Sequence, residues 1–179
     1  DDGRLVDLVI ARDHEATILD NIYLGRIEKV VAGLNAAFVD IGQYTSGFLA
    51  AADGQIFDRN AEKPKPVSVL FNEGDTVLVQ VTREASEGKG PKLSTRLNLT
   101  GRTIVLTPGR PSISISKSIT DEGERQRLEQ ALSEYAQSSV GLIIRTRAQG
   151  VAAEMLRTEA EILSDLWLDI EATLQTMKP

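Results

Sequence analysis

The sequence predicts an α+β protein in which a small, closed or nearly closed β-barrel is followed by an α/β unit. Between residues 21 and 99, short segments rich in β-branched residues recur at regular spacing with turn residues between them, which is typical of a small barrel. After Leu99 the pattern changes to strand, strand, helix, strand and helix. The 179 residues, 41% of them hydrophobic, are enough for one to two domains with a buried core.

The barrel elements are predicted from alternating hydrophobicity and from Gly, Pro and Asn at the turns. In chain order we expect a strand at 4–12, a polar break at 13–15, strands at 21–31 and 36–40 joined by a turn at 33–35, a loop at 42–46, a strand from 47 to 50, a polar loop at 53–66, a turn at 72–75, a strand at 76–82, a loop at 86–91 and a strand at 92–99.

The second unit is predicted from a change of periodicity. Thr120 is a good N-cap, and the acidic residues after it favour a helix start, so we expect a helix from there to about Gln137. Apolar residues at helical spacing predict a long helix over 151–177. The strands of this unit are expected at 104–107, 112–116 and 141–145.

Composition excludes several kinds of chemistry. The chain has no cysteine, which removes disulfides, thiolate nucleophiles and cysteine zinc sites and fits a reducing cytoplasm. Its one histidine, His14, lies in a polar turn, where an exposed position is far commoner than a catalytic one. No apolar run reaches the roughly 18 residues of a transmembrane helix, so we expect no membrane partner.

The net charge of −6 argues by itself against a nucleic-acid partner, but the charge is unevenly distributed. Residues 1–20 and 151–179 each carry 2 positive and 6 negative side chains, whereas residues 101–150 carry 7 positive and 5 negative ones. The acidic residues therefore concentrate at the two ends. The middle of the chain is neutral to basic, as phosphate binding requires.

Two aromatic residues are candidates for stacking on RNA bases. Phe38 and Phe48 flank the turn between adjacent barrel strands, and exposed aromatics over a basic surface hold single-stranded RNA. From the residues alone, the barrel core is the commoner position for a strand phenylalanine. Lys89 and Lys92 lie on or beside the loop before the last barrel strand, where they can meet phosphates or remain solvated loop charges.

A second candidate site follows the apolar strand that ends near Ile144. The guanidinium of Arg145 and the hydroxyl of Thr146 form a compact phosphate clamp at that strand end. Gly101 has no side chain and would let a phosphate approach backbone N–H groups closely. By themselves, a surface arginine and a turn glycine are the commoner interpretation.

Four motifs resemble the ribonuclease E/G family, and the resemblance covers nearly the whole chain. They are Asn21-Ile22-Tyr23-Leu24-Gly25-Arg26-Ile27, Ala36-Ala37-Phe38-Val39-Asp40-Ile41-Gly42, Gly47-Phe48-Leu49 and Gly141-Leu142-Ile143-Ile144-Arg145-Thr146.

The resemblance implies three parts and a fold for each. Residues 1–20 would be N-terminal strands of a split RNase H-like subdomain, 21–99 an S1-type OB-fold and 100–179 a 5′-sensor subdomain. The parent protein would be a Mg²⁺-dependent endoribonuclease that cleaves single-stranded RNA, with its catalytic domain, its metal and its subunit contacts downstream of Pro179. The full-length protein would then be able to form homo-oligomers. We therefore assign no catalytic residue, metal ligand or cofactor to this chain.

The resemblance also implies roles for individual residues. Phe38, Phe48 and Lys89 match the RNA-binding surface of the barrel, which overrides the core interpretation of the two rings. A second set matches the pocket for an RNA 5′-monophosphate: Gly101, Val105, Arg145 and Thr146. In that pocket Arg145 and Thr146 would hold the phosphate, and Gly101 and Val105 would shape the site around it.

This chain departs from some family members at two places. Ile41 stands where some members have an aromatic, which removes a stacking position. Lys117-Ser118 stands where some have two arginines, which weakens the phosphate field. Two other interpretations stay open: a stand-alone RNA-binding module without nuclease activity, and a protein-interaction domain that docks through the acidic helix at 151–177.

Overall fold

The computed structural model describes residues 17–54, 65–86, 88–136 and 139–176. The predicted strand at 4–12, His14 and the last residue of the predicted long helix lie outside the described residues. The described chain contains a closed barrel followed by a four-stranded sheet with helices, which confirms the predicted α+β class. The predicted division into 1–20, 21–99 and 100–179 stays a prediction.

The barrel closes because its five strands alternate apolar residues, which point inward, with residues that face outward. In the second strand, for example, Ala37 and Val39 are fully buried and the residue between them is not. The strand order β1-β2-β3-β5-β4 is that of an OB-type barrel. The strands are β1 (Ile22–Val31), β2 (Ala36–Asp40), β3 (Gly47–Ala50), β4 (Thr76–Arg83) and β5 (Lys92–Ser94).

Two local predictions for the barrel are wrong. The single strand expected at 92–99 divides, because the amide side chain of buried Gln80 both donates to and accepts from the backbone of Asn98 and so replaces a strand ladder. A short helix, α1 (Val67–Leu70), follows the polar loop and was not predicted. The side chain of Asn35 fixes its start by accepting from the N–H of Val67 at 2.9 Å.

The second unit is a sheet of order β6-β7-β9-β8, with both long helices contributing to one buried core. Alternation again sets the faces: Ile104, Leu106, Leu142 and Ile144 are fully buried, whereas Ile143 is 38% exposed. The elements are β6 (Leu99–Thr100), β7 (Ile104–Pro108), β8 (Ile113–Ile115), α2 (Glu122–Leu132), β9 (Val140–Ile144) and α3 (Ala153–Thr176).

The helix predictions are confirmed in position, and α2 is corrected at both ends. The N-cap of α2 is Asp121 rather than Thr120, because the Asp121 carboxylate accepts from the N–H of Glu124 at 2.6 Å. The helix ends at Leu132 and continues as a single 3₁₀ turn over Ser133–Tyr135, short of the predicted Gln137. In the described part of the chain, no helix is both long and apolar enough to cross a membrane.

Candidate nucleic-acid interface

The two predicted aromatic residues lie side by side on the outside of the barrel. Phe38 on β2 is the direct antiparallel partner of Phe48 on β3, and their ring centroids are 6.0 Å apart in an edge-to-face arrangement. Both side chains are half-buried. The rings therefore support each other while part of each remains open to solvent, which a base-stacking surface needs.

Three cations extend this pair into a line across all five strands. Lys29 on β1 pairs with Phe38, Lys92 on β5 pairs with Phe48, and Arg83 on β4 pairs with Lys92. Residues directly opposite each other on neighbouring strands share one face of the sheet. We call the line formed by Lys29, Phe38, Phe48, Lys92 and Arg83 the aromatic–basic row.

Sequence reasoning missed both ends of the row. Lys29 and Arg83 each directly follow a shift in strand register, between Ile27 and Lys29 on β1 and between Val81 and Arg83 on β4. A β-bulge resets the inward–outward alternation, so a simple period of two does not place the residue after it. The only sequence signal for these two residues is a cation two positions after an apolar strand residue, Ile27 or Val81.

One carboxylate, that of Asp53, contacts the row at Lys92. The Nζ atom of Lys92 is 2.9 Å from Oδ2 of Asp53, and the two side chains are 43% and 27% exposed. Asp53 is also a structural residue, since its carbonyl oxygen accepts from the backbone N–H of Thr95 at 2.9 Å. Lys92 is therefore held beside Phe48 by an ion pair that a phosphate can compete with.

Lys89 lies at the tip of a tight turn next to the row. Its backbone N–H and C=O bond Ser86 at 2.8 and 3.0 Å, and its side chain is exposed. The turn is anchored to β3, because Phe48 donates its N–H to the carbonyl of Pro91 at 2.8 Å. A Cβ at Gly90 would come within 1.9 Å of the Ser46 carbonyl oxygen, so this loop packs directly on the backbone before β3.

Ile41, the residue that replaces an aromatic of some relatives, is 6% exposed and belongs to the barrel core. It offers no stacking surface, in agreement with the expectation from the sequence.

Arg145 is positioned at the end of β9 by contacts with the segment after β6. Its NH1 atom donates to the carbonyl of Gly101 at 2.8 Å, and its backbone N–H donates to the carbonyl of Thr103 at 2.8 Å. The side chain is half-buried. Within the described residues, Gly101 provides the one acceptor for its guanidinium, which leaves the remaining N–H groups of the fork for an anion.

Thr146 lies next to a hydroxyl that sequence reasoning did not select. Its Oγ1 atom is 2.8 Å from Oγ of Ser116, and the backbone N–H of Ser118 donates to that serine oxygen at 3.3 Å. Lys117, between the two serines, is exposed. The structure thus brings the segment after β8 and the residues after β9 together, so that Arg145, Lys117 and the hydroxyls of Ser116 and Thr146 lie at the same end of the sheet.

The space beside Gly101 is occupied by a side chain of the protein. A Cβ here would come within 2.2 Å of Oε1 of Glu159, whose carboxylate accepts from the backbone N–H and the hydroxyl of Thr103. The N–H of Gly101 itself donates to the carbonyl of Ile104 at 2.9 Å. The close approach at this glycine is therefore made by a helix side chain, and its N–H is already used.

Val105 lies on the open face of the sheet. It pairs with Thr100 on one side and with exposed Ile143 on the other, and it is half-buried. The open face is opposite the helices, so it forms an apolar floor next to the strand end that carries Arg145.

The backbone after Thr146 is fixed by an ion pair on α2. Glu124 accepts two hydrogen bonds from the Arg127 guanidinium, at 2.7 and 2.8 Å, and a third from the N–H of Gly150 at 2.8 Å. The Arg127 hydrogen bonds, followed by that of Gly150, lower the pKa of Glu124 to about 2. Arg127 in turn donates to the carbonyl of Val151 at 3.0 Å, which ties the loop after the 5′-phosphate candidates to the helix.

Within the described ranges, no group of three or more His, Asp and Glu residues is placed where it could hold a metal ion.

The fold and the site define an OB-type barrel with an aromatic–basic surface, joined to an α/β unit with a basic strand end. The sequence model of the Ribonuclease E/G family matches residues 98–179 of this chain. The chain is 35% identical to Ribonuclease G of Salmonella typhimurium, over 95% of this chain and 36% of the relative. It is 37% identical to Ribonuclease G of Haemophilus influenzae, over 92% and 35%, and 34% identical to a Ribonuclease E/G-like protein of Pyropia yezoensis, over 92% and 32%.

The chain belongs to the ribonuclease E/G family. It spans about a third of the length of the curated relatives it matches. Among solved structures, the solution structure of GSP13 from Bacillus subtilis matches with a TM-score of 0.35 and 20% identity, over 45% of this chain and 56% of that one.

Proposed function

We propose that this chain is the RNA-binding and 5′-end-sensing part of an endoribonuclease that acts on single-stranded RNA. The observation that supports it best is the aromatic–basic row, in which two outward phenylalanines are flanked by cations in strand register. Bases stack on the rings at about 1–3 kcal/mol each, and phosphates follow the cations. Because every base has a π-face, this surface binds single strands with little sequence preference.

The strand end at Arg145 supports the second half of the proposal. A guanidinium with free donors, two hydroxyls and a lysine suit a terminal phosphate, which carries more charge and more acceptor oxygens than an internal one. In this account the row holds the strand, and Arg145, Thr146 and Ser116 hold its 5′ end. We call these three residues the 5′ pocket. Cleavage is carried out by a Mg²⁺-dependent domain outside this chain, in a cytoplasmic and potentially oligomeric parent protein.

The experiment is a binding titration of a labelled single-stranded oligonucleotide with a 5′-hydroxyl, which tests the row without the 5′ pocket. We expect Phe38→Ala to weaken binding by about 1–3 kcal/mol, since it removes one stacking platform. Leu34→Ala is the matched control, because Leu34 is a 60% exposed apolar residue outside the row. Equal affinities of the wild type and Phe38→Ala would sink the role of the row.

A specific feature favours the protein-interaction alternative as a second candidate. The helix α3 exposes Met155, Ile162, Leu166 and Leu168, by 46% to 63%. Met155, Ile162 and Leu166 follow the spacing i, i+7 and i+11 and so share one face of the helix, and exposed apolar side chains on a common face are typical of docking surfaces. The two candidates are separated by Ile162→Asp, which would leave RNA affinity unchanged under the first and abolish association with a protein partner under the second.

A further inference from the structure

A cleft of about 210 Å³ lies where the barrel meets the second sheet. Its walls are residues 95–97 from the end of the barrel, residues 108–110 from the end of β7, and Trp167 of α3. Neither the sequence motifs nor the proposed function uses any of these residues.

Two arginines line this cleft, Arg96 from the end of the barrel and Arg110 from the end of β7. An NH2 atom of Arg96 donates to the carbonyl of Ala52 at 2.6 Å, and one of Arg110 donates to the carbonyl of Leu97 at 2.8 Å and to Oδ1 of Asn98 at 2.5 Å. These contacts hold both side chains in place and connect the barrel to the sheet. The Nε atoms of both arginines are buried without a hydrogen-bond partner in the described part of the chain.

The positive charge of the pair is not balanced by the protein that surrounds it. Among residues 17–54, 65–86, 88–136 and 139–176, no carboxylate forms an ion pair with either guanidinium. Burial, followed by the charge of Arg96, lowers the pKa of Arg110. Two like charges held together in a partly desolvated cleft create a local field that attracts an anion.

We propose that this cleft binds the phosphate group of a nucleotide, with Arg96 and Arg110 as its ligands and Trp167 as the aromatic wall against its base. Guanidinium forks match phosphate oxygens, and the NH1 atom of each arginine has no hydrogen-bond partner among the described residues, which leaves it to a ligand. An indole beside them supplies the stacking surface that a base prefers.

The cleft is separate from the 5′ pocket. Pro108 is at one end of β7 and Ile104 at the other, and Ile104 pairs with Ile144 immediately before Arg145. Four residues of strand separate the two ends by about 13 Å. The ligand is either a nucleotide within an RNA strand or a free mononucleotide, and the two sources share the same phosphate chemistry.

The test uses the fluorescence of Trp167, which is the one tryptophan of the chain and so reports on the cleft wall directly. The whole chain is used with the substitution Arg145→Ala, which removes the guanidinium of the 5′ pocket. It is titrated with adenosine 5′-monophosphate in one arm and with a 5′-hydroxyl single-stranded oligonucleotide in the other. We expect a saturable change in at least one arm. A response to the mononucleotide alone identifies a free nucleotide, and a response to the oligonucleotide identifies an RNA strand.

Charge-removing variants separate the cleft from general electrostatics. Arg96→Gln and Arg110→Gln should each weaken the response about tenfold, as expected for loss of one charge-assisted contact. Arg157→Gln changes the net charge equally on α3, outside the cleft, and should leave the response intact. Thermal unfolding verifies that Arg110→Gln, which removes contacts across the junction, remains folded; Arg96→Gln carries the test if it does not.

Two results would overturn the proposal: no saturable fluorescence change in either arm, or an equal loss in Arg157→Gln. Failure of the proposed function is distinguishable, because it would appear as unchanged oligonucleotide affinity in Phe38→Ala while the mononucleotide response of the cleft persisted.

Discussion

At the scale of single residues, the outward position of Phe38 could be predicted in part from its neighbours. Ala37 and Val39 are the more obvious core residues, and a strand alternates faces, so the ring between them has to point outward. The ends of the row could not be predicted in this way. Lys29 and Arg83 reach the outer face only because each follows a β-bulge, whose location depends on the pairing of three strands.

Lys92 provides the test of the basic part of the row. We expect Lys92→Gln to weaken single-stranded RNA binding and to reduce the slope of log affinity against log salt by about 0.7, the value for one phosphate contact on a single strand. Asp53→Asn should act in the opposite direction on affinity, because it releases Lys92 from its ion pair. The measurement is a salt titration of binding, and an unchanged slope in Lys92→Gln would show that this lysine meets no phosphate.

The 5′ pocket shows where a sequence argument reaches its limit at the residue scale. The spacing of Arg145 and Thr146 is local and can be read directly from the chain. The hydroxyl of Ser116 comes from 30 residues away, through the parallel pairing of β8 with β9. The contact of Gly101 with Glu159 joins the segment after β6 to a distant helix and has no local signal.

At the scale of elements, periodicity predicted the barrel strands and both long helices, but not their exact ends. The end of β5 depends on a buried amide, Gln80, that replaces the strand ladder with side-chain hydrogen bonds. The start of α2 depends on which of two adjacent capping residues adopts the extended backbone, and the structure selects Asp121 over Thr120. A tertiary contact decides the first, and a local capping hydrogen bond that either of two adjacent residues could have supplied decides the second.

The hydrogen bonds of Glu124 with Arg127 and Gly150 should make the free energy of unfolding depend on pH. The pKa of Glu124 is lowered to about 2, below its ordinary value, so its stabilising contribution is complete above the ordinary value and is lost as pH falls toward 2. Glu124→Gln should reduce the free energy of unfolding at neutral pH by about 1 kcal/mol. Its stability should then fall less steeply than that of the wild type between pH 5 and pH 2, since the titrating group is absent.

Chemical denaturation at several pH values measures this difference directly. Glu122→Gln is a suitable control, because Glu122 is an exposed acid on the same helix whose nearest ion-pair contact, to Arg125, is 3.9 Å. Parallel pH profiles for Glu124→Gln and the wild type would show that the network does not operate as described.

At the scale of the whole molecule, an acidic protein presents two basic features on adjoining units. The net charge of −6 does not prevent local phosphate binding, because much of the acid lies at the two ends of the sequence. One carboxylate of the C-terminal helix, that of Glu159, does lie beside Gly101, where it accepts hydrogen bonds from Thr103. Under the proposed function, the two sites on one folded chain would act as a bivalent receptor. A strand held by the row would then raise the effective concentration of its own 5′ end at Arg145.

The overall class was predictable because it depends on the order of elements, which short-range patterns contain. The arrangement of the sites was not, because it depends on the closure of the barrel and on the junction with the sheet, where Arg110 bonds the backbone of Leu97. Family resemblance selected Phe38, Phe48, Arg145 and Thr146 from their motifs, but it did not select Lys29, Arg83 or Ser116. It could not identify the Arg96–Arg110 cleft, which no motif contains.

The central claim, that one surface grips the strand and a separate pocket reads its end, is tested most directly by one ratio. The affinities of the same single-stranded oligonucleotide with a 5′-monophosphate and with a 5′-hydroxyl are measured for the wild type, Phe38→Ala and Arg145→Ala. The account predicts that the wild type prefers the 5′-monophosphate, that Phe38→Ala weakens both forms equally, and that Arg145→Ala brings the ratio close to one. An Arg145→Ala variant that loses equal affinity for both ends, or a wild type with no preference, would contradict it.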